Sequence, residues 1–141
     1  MQLFVFTDGG SRGNPGPAAL GGVVYQNAQR GDVVYEFSQY IGVGTNNEAE
    51  YKAFLHAVEW VAHSKSAEKI EKCTWHLDSK LVVEQINKRW KIKEPRMRIL
   101  AEQCWRLLED LPFSFSVVYV PREENAVADA LVNQALDAAA E

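Results

Sequence analysis

Four acidic residues stand where a carboxylate has to be explained. Asp8 closes the apolar run LFVFT and is followed at once by GGSRGNPG. Asp78 closes WHLD in the same setting of strand, acid and turn. Either one alone has a plain reading, because Asp is common at strand ends and caps helices. Glu50 lies four residues before Phe54 on the apolar stripe Phe54, Ala57, Val58, Val61. It is therefore expected to face inward in the first turn of a helix, where an unpaired carboxylate is costly. Interaction with the helix N-terminus is its plain alternative. Glu48 points elsewhere and has capping-box spacing to Thr45. Asp129 sits in AVADALV, on a helix apolar nearly all round, so periodicity leaves its direction open. Four carboxylates at one place repel one another and demand divalent cations. Oxygen ligands without a Cys or His cluster select Mg²⁺ or Mn²⁺ over zinc. Two such ions about 4 Å apart suit in-line displacement at phosphorus.

The elements that must bring these acids together can be read from the pattern. Leu3 to Thr7, Ala19 to Tyr25 and Val33 to Ile41 read as strands, the last two joined by a polar turn. Thr45 opens a helix that runs to about His63. Cys73 to Asp78 is expected to be a strand, and Ser79 to Asn87 a helix. Pro95 starts a helix ending near Asp110, Phe113 to Val120 is a strand, and Glu124 to Ala138 a last helix. A hairpin followed by βαβ units predicts an α/β fold, a mixed sheet with helices on its faces. Ligands of such sheets gather outside the carboxyl ends of the parallel strands, where Asp8 and Asp78 would lie. The glycines after Asp8 would let backbone and ligand come close. A nucleotide-phosphate loop is the weaker reading, because no GxxxxGK[ST] is present.

The 141 residues suit one domain spanning 1–141, and 47% apolar with 24% charged residues is ordinary for a globular protein. The opening apolar run is too short and too acidic at its end for a signal peptide, and no stretch is long enough to span a bilayer. Cys73 and Cys104 have neither zinc-type spacing nor scaffold density, so free thiols and a reducing, cytoplasmic setting are expected. The net charge of −4 argues weakly against a nucleic-acid partner. Yet KRWKIKEPRMR, Lys88 to Arg98, holds six basic residues and one acidic one. It is either a solvated helix edge or a local phosphate-binding patch with Trp90 inside it.

TDGGSRGNPGPA, TNNEAEY, LDSKLV and VPREENAVADALVNQA resemble, in order and spacing, the motifs of ribonuclease H, type 1. The resemblance covers nearly the whole chain. It implies a five-stranded mixed sheet of order 3-2-1-4-5. It implies endonucleolytic cleavage of the RNA strand of RNA–DNA hybrids, leaving 3′-hydroxyl and 5′-phosphate ends, with two metal ions per site. Asp8, Glu50, Asp78 and Asp129 fall on the metal-binding, catalytic acids. Asn14 and Asn47, the latter just before the helix, fall on residues that contact the hybrid near its minor groove, where the 2′-hydroxyl separates RNA from DNA. Gly9, Gly10 and Ser11 would approach the ribose beside the cut. Lys80, Trp90, Lys91 and Lys93 are the remaining candidate nucleic-acid contacts, with Trp90 either packing on a deoxyribose or belonging to the core. Two departures stand out. The loop before the last helix is PREENAVA and lacks the histidine that many bacterial members carry there. The long basic handle is also missing. Arg122, in that loop, is a candidate for product release, or a surface residue pairing with Glu123 or Glu124. A free-standing monomeric enzyme is expected; cleavage of double-stranded RNA stays open. The rivals are another nuclease of the same fold, such as a resolvase or exonuclease, and a catalytically silent hybrid-binding module.

Overall fold

A computed structural model describes all 141 residues. Three long strands come first: β1 (Gln2–Ser11), β2 (Gly16–Gln26) and β3 (Asp32–Gly44). They are followed by α1 (Asn46–Ala62), β4 (Lys72–Leu77), α2 (Lys80–Ile86), α3 (Pro95–Glu109), β5 (Ser114–Tyr119) and α4 (Ala126–Ala139). The sheet order is β3-β2-β1-β4-β5, antiparallel across the first three strands and parallel from β1 through β5, as expected. Short 3-10 turns at Ala67–Lys69 and Arg122–Asn125, both unforeseen, enter β4 and α4.

The helix signals behave as the local chemistry dictates. Thr45 caps α1 by accepting from the Glu48 amide at 3.1 Å, and its hydroxyl also reaches the Glu48 carboxylate. Ser79 caps α2 and Glu94 caps α3, with Pro95 in the first turn. Phe54, Ala57, Val58 and Val61 are fully buried against one face of the sheet, in a core shared with α2 and α3 that includes Val5, Trp75 and Leu77. On the opposite face, Ala128 of α4 packs with Phe6, Val23 and Tyr25, and Val132, Ala135 and Leu136 pack on Ala19. Helices thus cover both faces.

The glycine segment departs from expectation. β1 does not stop at Thr7; it continues through Asp8, Gly9, Gly10 and Ser11, paired in register with Gly21, Leu20, Ala19 and Ala18. β2 accordingly starts at Gly16, and only Arg12 to Pro15 form the turn. The reason is close packing of helix on strand. A Cβ on Gly9 would lie 2.2 Å from the carbonyl carbon of Ala49, in the first turn of α1. A Cβ on Gly21 would lie 2.5 Å from the carbonyl oxygen of Ala128, in the first turn of α4. Glycine therefore lets two helix N-termini rest directly on the two central strands, one on each face, at the level of Asp8.

Candidate active site

Asp8, three residues before the end of β1, shares the α4 face with Phe6 by strand alternation. Asp78 follows directly after β4, which ends at Leu77, one residue before the expected strand end at Asp78. Glu50 reaches the same place from just past the first turn of α1, across the bare backbone of Gly9, whose amide donates to Glu50 Oε1 at 2.9 Å. One carboxylate oxygen from each of Asp8, Glu50 and Asp78 lies within 4.8 Å of the other two. Asp129, the fourth expected acid, lies outside this close triad but lines the same cavity of about 410 Å³. It is half-buried, and its Oδ1 is 3.8 Å from Nη2 of Arg122. Arg122 therefore pairs with Asp129, and with neither Glu123 nor Glu124.

The electrostatics follow from this crowding. Burial, then the neighbouring charges of Asp78 and Asp129, push Asp8 up to about 7, against a hydrogen bond from Glu50 that favours its ionised form. Glu50 is deeper and is raised well above the usual carboxylate range by burial, by its hydrogen bond to Asp8 and by the charges of Asp8 and Asp78. Asp78 is raised by burial, with the Asn125 amide and Asp8 opposing. Glu50 Oε2 is buried with no hydrogen-bond partner. A buried, unpartnered carboxylate oxygen inside a cluster of hard oxygen donors fits a divalent cation such as Mg²⁺ or Mn²⁺.

The turn after β1 is pinned to α1 by a residue the sequence reading missed. Asn46 Oδ1 accepts from the Ser11 amide at 2.9 Å and from its hydroxyl at 3.2 Å, while the Asn46 amide donates to Asn14 Oδ1 at 3.0 Å. Gly9, Gly10 and Ser11 line the acidic cavity; Asn14 does not, and opens instead onto a neighbouring cavity of about 680 Å³ that also meets Lys91, Lys93 and Arg96. Asn47 lies within the first turn of α1, not before the helix, and borders both cavities. Lys80 is exposed on the first residue of α2. Trp90 is 45% exposed, so it is not core. Asn125 was also missed. It is buried, donates from Nδ2 to the Thr7 carbonyl at 2.8 Å, and so ties the approach to α4 to the strand carrying Asp8. Its only sequence signal was a polar residue just before an apolar helix.

The basic stretch between α2 and α3 is held by buried polar contacts. Tyr51 donates to Gln85 Oε1 at 2.7 Å, and Gln85 Nε2 donates to the Lys91 carbonyl at 3.2 Å. The Lys88 ammonium lies 4.8 Å from the centre of the Trp105 ring. The patch is a shaped connection at the rim of the second cavity, not a loose edge.

Comparison with known proteins agrees with this architecture. The family model described as reverse transcriptase-like matches residues 6–135. A bifunctional protein of Mycobacterium tuberculosis is 40% identical over all 141 residues, which span 37% of that protein's length. The crystal structure of RNase H1 from the archaeon Halobacterium salinarum superposes with a TM-score of 0.85 at 37% identity, covering 98% of this chain and 99% of that one. An RNase H1 designated LC11, solved in complex with an RNA/DNA hybrid, superposes with a TM-score of 0.89 at 37% identity over 99% of each chain. Cys73 and Cys104 are free and buried, and no helix is long and apolar enough to cross a membrane.

Proposed function

Because this chain belongs to the type 1 ribonuclease H family, we propose that it is a metal-dependent endoribonuclease that hydrolyses the RNA strand of RNA–DNA hybrids, leaving 3′-hydroxyl and 5′-phosphate ends. The observation that carries the reading is the convergence of Asp8, Glu50 and Asp78 within 4.8 Å, with Asp129 on the same cavity wall and the Asn14–Asn46–Ser11 contacts beside it. Asp8, Glu50, Asp78 and Asp129 would hold two Mg²⁺ ions, with Mn²⁺ as substitute. Bound there, such ions supply an activated water and charge neutralisation at the phosphate. The chain's own residues do the rest. Gly9, Gly10 and Ser11 present backbone along the RNA strand, while Asn14 and Asn47 face the minor groove, where a 2′-hydroxyl is read. Lys91 and Lys93 border the second cavity and receive the DNA-strand phosphates, with the exposed Trp90 next to Lys91 in the chain and Lys80 exposed at the start of α2. Arg122, within reach of Asp129, pairs with the departing 5′-phosphate. We place the enzyme in the cytoplasm, as a monomer.

Incubating a strand-labelled hybrid with the protein and Mg²⁺ tests this directly. Internal cuts confined to the RNA strand, absent with chelator and absent on duplex DNA, are expected. Cleavage of a four-way DNA junction, or stepwise loss from a 3′ end, would favour the resolvase or exonuclease alternatives. Tight hybrid binding without turnover would indicate a silent module.

A further inference from the structure

The acidic cavity is lined by two cationic side chains, Arg12 and Arg122, and both are held by acids of α4. Arg122 was legible in the sequence; Arg12 was not. It sits in the turn Arg12–Pro15, at the edge of the cavity where β1 ends. Its backbone is fixed, since its amide donates to the Pro17 carbonyl at 2.8 Å and the neighbouring Ser11 is fastened to Asn46. Its side chain crosses to α4, where Nη2 lies 2.6 Å from Asp137 Oδ1 and 3.3 Å from Asn133 Oδ1. Asn133 in turn donates from Nδ2 to the carbonyl of Asp129.

We propose that Arg12 is a phosphate-binding residue for the RNA strand and that Asp137 competes with the substrate for it. This rests on the reading of the cavity as a hybrid-cleaving site. A polyanion entering a cavity that holds four acids needs cations positioned along the incoming strand. Gly9, Gly10 and Ser11 line the cavity together with the acids, so the strand beside Arg12 is the one that is cut. Both members of the Arg12–Asp137 pair are exposed, with side chains 44% and 68% accessible. Such exposed pairs contribute little and are readily exchanged. A phosphate offers a guanidinium the same paired-oxygen geometry as a carboxylate. A fixed backbone with an exchangeable head group lets Arg12 move from Asp137 to phosphate without rebuilding the turn.

The two partners of the pair should then have opposite effects. In steady-state cleavage of a hybrid with Mg²⁺ over a salt series, Arg12→Ala should raise KM about five- to tenfold and lower the salt slope by about one, with kcat within about twofold. Asp137→Asn should lower KM about two- to threefold, and Arg12→Lys should recover part of the Arg12→Ala loss. Methylphosphonates flanking the cut in the RNA strand should erase the difference between Arg12→Ala and the wild type; the same change in the DNA strand should preserve it. If Arg12→Ala and Asp137→Asn raise KM alike, the pair is only a tether and the proposal falls. An unchanged KM and salt slope in Arg12→Ala also overturns it, while the wild type still cuts. A wild type that cuts no hybrid ends both this proposal and the functional reading beneath it.

Discussion

At the scale of single residues, the acids are the source of both strain and function. The Asp8 carboxyl ionises near pH 4 in the unfolded chain and near 7 in the metal-free folded protein. Between those values the folded state binds more protons, so the stability of the metal-free protein falls as pH rises through this window, and the penalty is complete above it. Glu50 and Asp78 shift in the same direction. Asp8→Asn removes one charge from the cluster. Without metal at pH 8 it should raise Tm by roughly 3 °C, on the order of 1 kcal/mol, and the gain should vanish near pH 4. Equal melting curves at pH 8 would contradict the assignment of buried repulsion. Asp8→Asn and Asp78→Asn should each abolish cleavage with the fold intact; near-wild-type turnover in either would remove that residue from the chemistry. Arg122 is a different case. An arginine stays protonated at any working pH and cannot shuttle a proton, but it can pair with a phosphate and weaken its hold on bound cations. Arg122→Ala should lower kcat by roughly tenfold, on the order of 1.4 kcal/mol, with little change in KM. Wild-type kinetics would leave it as the partner of Asp129 and nothing more.

At the scale of elements, legibility depended on whether a residue's environment is set by its own segment. The helices were readable because periodicity, the Thr45–Glu48 capping box and Pro95 are local signals. The inward direction of Glu50 followed from the same stripe. The continuation of β1 past Asp8 was not readable. Gly9 and Gly10 look like loop residues, and their role is defined by helices arriving from elsewhere in the chain. Asp129 was undetermined for a similar reason, since its direction is set where α4 meets Gly21 and not by its own helix pattern. This contact makes a prediction about elements. Gly21 is in register with Asp8, and an added Cβ would also lie 2.8 Å from the Val132 amide. Gly21→Ala should push α4 away from the sheet, and Asp129 with it. Overpacking of this kind costs about 1–3 kcal/mol, and turnover should drop by at least tenfold while far-ultraviolet circular dichroism stays native. Unchanged turnover would mean that the site tolerates a displaced α4. The Lys88–Arg98 connection makes another. Replacing Lys91 and Lys93 together by alanine should raise KM and flatten the salt dependence by about two. An unchanged slope would return this stretch to the solvated edge that its composition also allows.

At the scale of the whole molecule, the strand order reaches from one end of the chain to the other. β1, the first strand, is central, and its parallel partner β4 leads out to β5, while α4, the last helix, covers β1 to β3 on the far face. The N-terminal ammonium lies 3.2 Å from Glu71, and Asn125 bonds to Thr7 across 118 positions of sequence. The four acids accordingly come from residues 8, 50, 78 and 129 and meet only when nearly the whole chain is in place. The site and the fold should therefore melt together. We expect residues 1–141 to unfold in one transition, with circular dichroism and the fluorescence of the four tryptophans, the buried Trp75 among them, changing together. A cation that binds only the assembled acids must then shift that transition as a whole. At about a hundredfold excess over its Kd, Mg²⁺ should add about 2.7 kcal/mol, or roughly 8 °C in Tm. In Asp8→Asn the shift should shrink towards zero, from a higher metal-free starting point. Two separate transitions, or a metal response confined to one probe, would show that the acids assemble on a part of the chain that folds independently of the rest.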